Sequence, residues 1–417
     1  MSWTVGFVAL PGAIVVAVIG FTARGQQSSA RFISDRVIAG ATAGLVATVA
    51  YDIARPILVW GLRVHFAPFR AHPIFGSLIS EVYNWRAGFF MIVPFGMAAT
   101  TCAWFALAQF TERRTTQFDW TGFLALAAAI AAAQLMLDRG QRLDWFDSTE
   151  IIIEALVVGI GIWLFVAHSL TAERPFLDPR LLLDRNFAFG LLVALILGML
   201  SYVTLVLFPS LLHDLRGYPD SAIGLLLASR GLGNWMAFLV VVPFTRRNPR
   251  LAVTCGLIGQ AASGWAMAQL DINLTSFDVF WTNVLQGFGF GLAFTPMMVL
   301  TFATLPARHM TEGTAVFNLM RNFGSSVFIS IAIVLLVRTS AANHAGLTEF
   351  ISPYNRALAY PDVLGQWNPT SPAGLKAMAG EIQRQSAMIG YINAFYLFAF
   401  TAIAAIPLVW LMRDTPR

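Results

Sequence analysis

Apolar runs of about twenty residues recur from one end of this chain to the other, and that leaves few folds open. A helix of that length crosses the hydrocarbon core of a bilayer with every backbone group paired inside it. The 417-residue chain is 57% hydrophobic and 12% charged, whereas soluble domains carry about 25% charged residues. Too little charge is present to coat a soluble surface of this size. The expected fold class is an all-α polytopic membrane protein with about 11 transmembrane helices. The spans are read at 3–22, 37–62, 87–110, 119–138, 150–171, 187–212, 221–244, 250–270, 278–304, 313–337 and 390–412.

The formal net charge is +5 and rests on arginine, Lys376 being the single lysine. The arginines gather in alternate loops. Basic character marks 23–36, 111–118, 172–186, 245–249 (Arg246, with Arg250 just beyond), 305–312 and the C-terminal tail. All of these fall on one side of the eleven spans. The opposite loops 139–149 and 271–277 are acidic or mixed. Cytoplasmic loops are the arginine-rich ones, so the C-terminus is expected in the cytoplasm and the N-terminus outside. This distribution assigns the arginines to membrane topology and not to nucleic acid. The first run is read as a retained span, because basic residues follow it and do not precede it. One outer segment, 338–389, is long and is expected to hold a short amphipathic helix near 373–387. It is read as a solvated cap, or as a docking surface for an extracytoplasmic adaptor. Cys102 and Cys255 both lie inside apolar runs and read as small core residues.

The richest stretch is Asn283 to Leu336. Its first apolar run carries Gly287, Gly289, Gly291 and Pro296; its second carries Arg321, Asn322 and Gly324. Small residues let helices approach closely in lipid. An arginine inside such a run is expensive unless it faces protein or water. Arg321 either lines a cavity or snorkels to the interface, with Asn322 on the same polar side. Arg230 lies deeper in its span, so a cavity-facing or paired role is expected. Trp235, Phe288, Phe294, Met297 and Phe317 are candidates for an apolar, aromatic substrate cavity, with ordinary packing as the alternative for each.

Several segments resemble one family. WRAGFFMIVPFG (85–96), FDWTGFLAL (118–126), ERPFLDPRLLLDRNFAFG (173–190), GLLLASRGLGNW (224–235), LQGFGFGLAFTP (285–296), TEGTAVFNLMRNFGSSVFISIA (311–332) and NHAGLTEFISPYN (343–355) stand in order. From about residue 80 to the C-terminus they are similar to the fourteen-spanner drug:proton antiporters of the major facilitator superfamily. The resemblance implies proton-coupled efflux of drugs or amphipathic small molecules from the inner membrane. It also implies a division of the chain: 80–186 as family spans six to eight, and 187–417 as a C-terminal six-helix bundle.

Two departures accompany the resemblance. Residues 1–79 do not resemble family spans one to five and read as an unrecognised two-helix segment, so the N-terminal bundle is expected to be largely missing. In VVPFTRRNPR (241–250), Thr245 stands where the family often has an aspartate, so the acid–arginine pairing that the resemblance implies for this loop is not expected here. The alternative to a transporter is therefore a non-transporting relic, or a membrane subunit that depends on a partner.

Coupling needs an ionisable group at membrane depth. Asp52 is the proton-site candidate, three residues before Arg55 on one helix face, with an internal ion pair as the alternative. No Walker loop, HExxH, CxxC or GxSxG constellation is present. No enzyme, metal, cofactor or nucleic-acid partner is expected; the expected partners are small amphipathic substrates, protons and the lipid bilayer.

Overall fold

The computed structural model describes residues 97, 119–172, 175–306, 309–352, 354–359, 367–368 and 371–413. The spans expected at 3–22 and 37–62, the segment 1–79 and Asp52 lie outside the described residues, as does 87–110 apart from Met97. Everything below concerns the compact unit that runs from Gln117 to the C-terminus.

Eight helices in this unit are long and apolar enough to cross a membrane. They are α1 (Trp120–Arg139), α2 (Thr149–Thr171), α3 (Arg185–Ser210), α4 (Asp220–Arg247), α5 (Pro249–Ala268), α6 (Ser276–Phe302), α7 (Met310–Thr348) and α8 (Pro372–Trp410). Local chemistry marks the starts. Asp119, Asp184, Asn248 and Ser371 each accept a backbone N–H of the first turn, and Thr275 with Asp278 closes a capping box on α6. Pro249 and Pro372 stand at the first helical position, where a missing N–H costs nothing.

The six helices α3 to α8 form one bundle around a common apolar core. Phe208 of α3 meets Phe395 of α8 at 5.3 Å between ring centroids, and both rings are fully buried. Several buried polar side chains bond across helices. Gln260 of α5 donates to the Gln286 carbonyl, Gln286 donates to the Leu200 carbonyl at 3.3 Å, and Ser263 to the Thr282 carbonyl at 3.1 Å. Away from water, each such bond spares a buried carbonyl or amide a large desolvation cost.

The bundle is made of two similar three-helix halves, α3–α5 and α6–α8. Helix α3 runs antiparallel to α6: Gly190 lies against Thr301, while Leu200 meets Gln286. The equivalent close pairs are α3 with α7 and α6 with α4. On α7 the sequence Arg321-x-x-Gly324 crosses Leu195-x-x-Gly198 of α3. On α4 the sequence Arg230-x-x-Gly233 crosses Val284-x-x-Gly287 of α6. A Cβ on Gly198 would strike the Arg321 carbonyl, and one on Gly324 the Leu195 carbonyl. The other crossing repeats this, with Gly287 against the Arg230 carbonyl and Gly233 against the Val284 carbonyl. The glycines are there because two backbones touch.

Helices α1 and α2 form a hairpin with a tight link, in which Asp144 and Trp145 both take positive φ. The hairpin leans on the bundle through α7, where Ser330 Oγ donates to the Leu137 carbonyl at 2.8 Å.

Two expectations need correction. The segment 338–389 holds more helix than the short stretch expected near 373–387. Helix α7 continues to Thr348 and α8 begins at Pro372, leaving only 349–371 as the connection. Each of these helices has 39 residues, about 58 Å of rod against a hydrocarbon core of about 30 Å. Hydropathy marks where lipid ends, not where a helix ends. The 245–249 loop also shrinks, because Arg246 and Arg247 are still in α4, and Asn248 alone links it to α5.

At that end of the bundle, three side chains hold the close of α8. Arg185 Nε donates to the Leu411 carbonyl at 2.8 Å, and Arg250 donates to the Met412 carbonyl. Asn186, 1% exposed, donates to the Arg413 carbonyl at 3.0 Å and accepts the Arg413 N–H at 2.6 Å. Cations suit a helix C-terminus, where carbonyls lack partners. Asn186→Leu leaves buried backbone groups unpaired and is expected to destabilise the bundle by about 1–3 kcal/mol, read as a lowered Tm in detergent.

Candidate functional site

The two arginines at the glycine crossings anchor the candidate site. Arg230 is the eleventh residue of α4 and Arg321 the twelfth of α7. Each lies about 15 Å from the start of its helix, inside an apolar stretch long enough to cross a hydrocarbon core of about 30 Å. The guanidinium of Arg230 sits 5.5 Å from the ring centroid of Phe290, and that of Arg321 sits 5.4 Å from the ring of Phe294. Phe290 and Phe294 are stacked, with centroids 5.5 Å apart and an interplanar angle of 18°. The result is one row across α4, α6 and α7: Arg230, Phe290, Phe294, Arg321. All four side chains are partly buried. The i, i+4 spacing on α6 puts both rings on one helical face, and cations are attracted to ring faces.

The row has little other support. Arg230 also donates to the Ser201 carbonyl of α3. The Nε of Arg321 is buried with no hydrogen-bond partner among the described residues. No described carboxylate lies within ion-pair distance of either guanidinium.

The other sequence candidates fall elsewhere. Met297 is fully buried in the main core, and Phe317 is fully buried against Phe187 and Leu191, so both are packing residues. Phe317 backs the row, 6.3 Å from the Phe294 ring. Phe288 is partly buried and packs beside Ala237, Val241 and Leu292. Trp235 is 60% exposed. It stands two residues beyond Gly233, about 200° round the helix and away from the α6 contact. Asn322 is exposed beside Arg321. Arg246 is exposed on the last turn of α4, while Arg250 caps α8 as described. Phe290 was not among the sequence candidates. Its signal was the four-residue step to Phe294 within the glycine-rich run.

A second constellation ties the α1–α2 hairpin to the following link. The Asp119 carboxylate accepts Gly122 N–H at 3.0 Å and Phe176 N–H at 2.9 Å, and pairs with His168 Nε2 at 2.8 Å. Burial pushes this carboxyl up, but the two backbone bonds and His168 outweigh it and hold it below the ordinary aspartate range. A carboxyl depressed on folding adds stability above its unfolded pKa and loses it as pH falls through the folded one. Asp119→Ala is therefore expected to cost about 1 kcal/mol near neutral pH. Its Tm deficit against the parent should close as the pH is taken below the carboxylate range. Beside this constellation, a groove of 620 Å³ opens between α1 and α2, lined by Leu124, Trp163 and Thr171 among others. It contains none of the arginine row.

The Major Facilitator Superfamily sequence model matches residues 2–329. The chain belongs to the Major Facilitator Superfamily. The match includes residues 2–79 of the segment to which motif reading gave no family. Within the superfamily, the chain is 28% identical over 392 residues to the multidrug export protein EmrB of Haemophilus influenzae, covering 91% of this chain and 77% of the relative. It is 30% identical over 363 residues to the multidrug export protein EmrB of Escherichia coli K12, covering 86% and 70%. It is 28% identical over 364 residues to the fatty acid resistance protein FarB of Neisseria gonorrhoeae, covering 86% and 71%. The chain is thus a multi-pass membrane transporter of the Major Facilitator Superfamily, similar to EmrB-like multidrug exporters.

Proposed function

We propose that this transporter exports amphipathic small molecules across the inner membrane in exchange for protons, with the row Arg230–Phe290–Phe294–Arg321 on its substrate path. The arrangement of that row carries the reading: two charged groups and two stacked rings inside membrane-length apolar helices, partly exposed and backed by packed core. A structural arginine would be expected to find an ion-pair partner or a full set of carbonyls. Stacked aromatic faces bind varied apolar groups without demanding one shape. The names of the relatives, two multidrug exporters and a fatty acid resistance protein, support the substrate class.

The proposed orientation follows the arginine-rich loops, with the C-terminus in the cytoplasm and the N-terminus outside. The ends of α7 and α8 beyond the bilayer then project outward with the connection 349–371. They are the proposed seat of an extracytoplasmic adaptor. Proton coupling requires a carboxylate that changes its surroundings between states. Asp52 remains the proposed group. Among the described residues, the carboxylate with a buried, unpartnered oxygen is Glu154 of α2, a second place to look.

The test is dye efflux from a pump-deficient host expressing the chain, before and after the proton gradient is collapsed. Efflux that stops with the gradient is the expected result. Full dye retention despite good membrane expression would overturn the export reading.

A further inference from the structure

The two halves of the bundle place one arginine each at equivalent positions, and neither arginine has a carboxylate partner among the described residues. We propose that Arg230 and Arg321 are two separate anion stations. Each takes the anionic head of an amphipathic molecule, while its apolar body lies along the edges of the Phe290–Phe294 pair. The proposal rests on the row being a substrate path and names the chemical class that it accepts.

The geometry of each guanidinium leaves room for an anion. The ring contacts lie 5.5 and 5.4 Å from the guanidinium carbons and offer no oxygen or nitrogen acceptor to the five N–H donors along the edge of each planar group. That edge is the part which binds a carboxylate with two parallel hydrogen bonds. Arg321 has used none of its edge: its buried Nε–H has no acceptor among the described residues. Arg230 has one recorded acceptor, the Ser201 carbonyl. An unpaired positive charge at membrane depth is costly, and an incoming anion removes that cost. A cationic substrate would add to it.

Two stations, not one shared site, follow from the spacing and the repeat. Two stacked rings separate the guanidiniums, with steps of 5.5, 5.5 and 5.4 Å along the row. A single carboxylate cannot bridge that row. Each arginine also belongs to its own Arg-x-x-Gly crossing, and its carbonyl rests on a glycine of the partner helix, Gly287 for Arg230 and Gly198 for Arg321. Three reversals of the chain separate α4 from α7, so the two helices start at opposite membrane faces. The stations therefore stand at matching depths from opposite sides, the relation that inverted repeats produce in transporters.

The experiment is saturation binding on the purified full chain in detergent, without any gradient, by scintillation proximity. The probe is radiolabelled naphthalene-2-carboxylate at pH 7.5, and the comparator is the trimethylammonium cation on the same ring. The expected result is two carboxylates bound per chain, with the cation at least tenfold weaker. Arg230→Gln and Arg321→Gln should each leave one. Equal or tighter cation binding overturns the proposal, as does a stoichiometry of two that survives in both variants. If a glutamine variant does not fold, the carboxylate-to-cation comparison on the parent chain decides the matter. Displacement of the probe by dioleoylphosphatidylglycerol would make a lipid phosphate the natural anion, and retention would make it a free carboxylate; either result keeps an anion at the stations. The two readings fail separately. Anion binding with no cellular efflux sinks export alone, while efflux with no naphthoate binding sinks the stations alone.

Discussion

Gly287→Val is expected to abolish the folded bundle. A side chain at this position runs into the carbonyl oxygen of Arg230, and the neighbouring atoms are also backbone of α4. Backbone cannot rotate away as a side-chain tip can, so α4 and α6 must separate. Overpacking of a tight interior costs about 1–3 kcal/mol and more where nothing yields. Here the cost exceeds that range, because the separation also pulls Arg230 from Ser201 and from the Phe290 ring. The equivalent change Gly198→Val, at the α3–α7 crossing, should behave alike. Gly231→Ala is the matched control: nothing lies within 4 Å of its Cβ position. Size-exclusion profiles and thermal melts in detergent read the difference. A monodisperse Gly287→Val with a Tm near that of the parent would show that the crossing is looser than it looks.

Arg321→Gln is expected to move function and stability in opposite directions. Among the described residues, the guanidinium has the Phe294 ring for support and no ion-pair partner. Removing a charge that lacks an ion partner relieves a desolvation cost, so the melting temperature should hold or rise. Transport should fall at least tenfold, because the substrate loses the group that the fold leaves open for it. Arg321→Lys keeps the charge but not the planar fork and should retain part of the activity. The measurements are dye efflux per unit of folded protein, together with melts. A Gln variant that transports normally would make the arginine a mere tenant of the interface.

Much of this was legible in the chain. Spans follow from runs of apolar residues, because the bilayer imposes one length and one requirement, internal backbone pairing. The expected span 119–138 and the helix Trp120–Arg139 differ by one residue at each end. The extension of α7 and the continuity of α8 through 372–390 were missed for a physical reason. Outside the lipid a helix needs only propensity and a cap, not hydrophobicity. The cap was in view, since Ser371 followed by Pro372 is a helix start. Arg230 and Arg321 stood out because charge in an apolar run is conspicuous. Which atoms they face could not be read, since that depends on how α6 turns against α4 and α7. Met297 and Phe317 show the same limit from the other side. On a helix, a ring or thioether at the right depth looks the same whether it faces a cavity or the core. The repeated Arg-x-x-Gly was present in the letters, and the crossing gave it meaning.

The unbroken length of α7 makes it a lever. Its fulcrum is the pinch at Gly198 and Gly324, and Arg321 rides on that fulcrum. From there the rod runs to Thr348 without a break, about 40 Å further on. A tilt of about 10° at the pinch, too small to part the backbones, would swing the far tip through about 7 Å. On the proposed substrate path, a molecule arriving beside Arg321 would thus be mechanically connected to the far tip of α7.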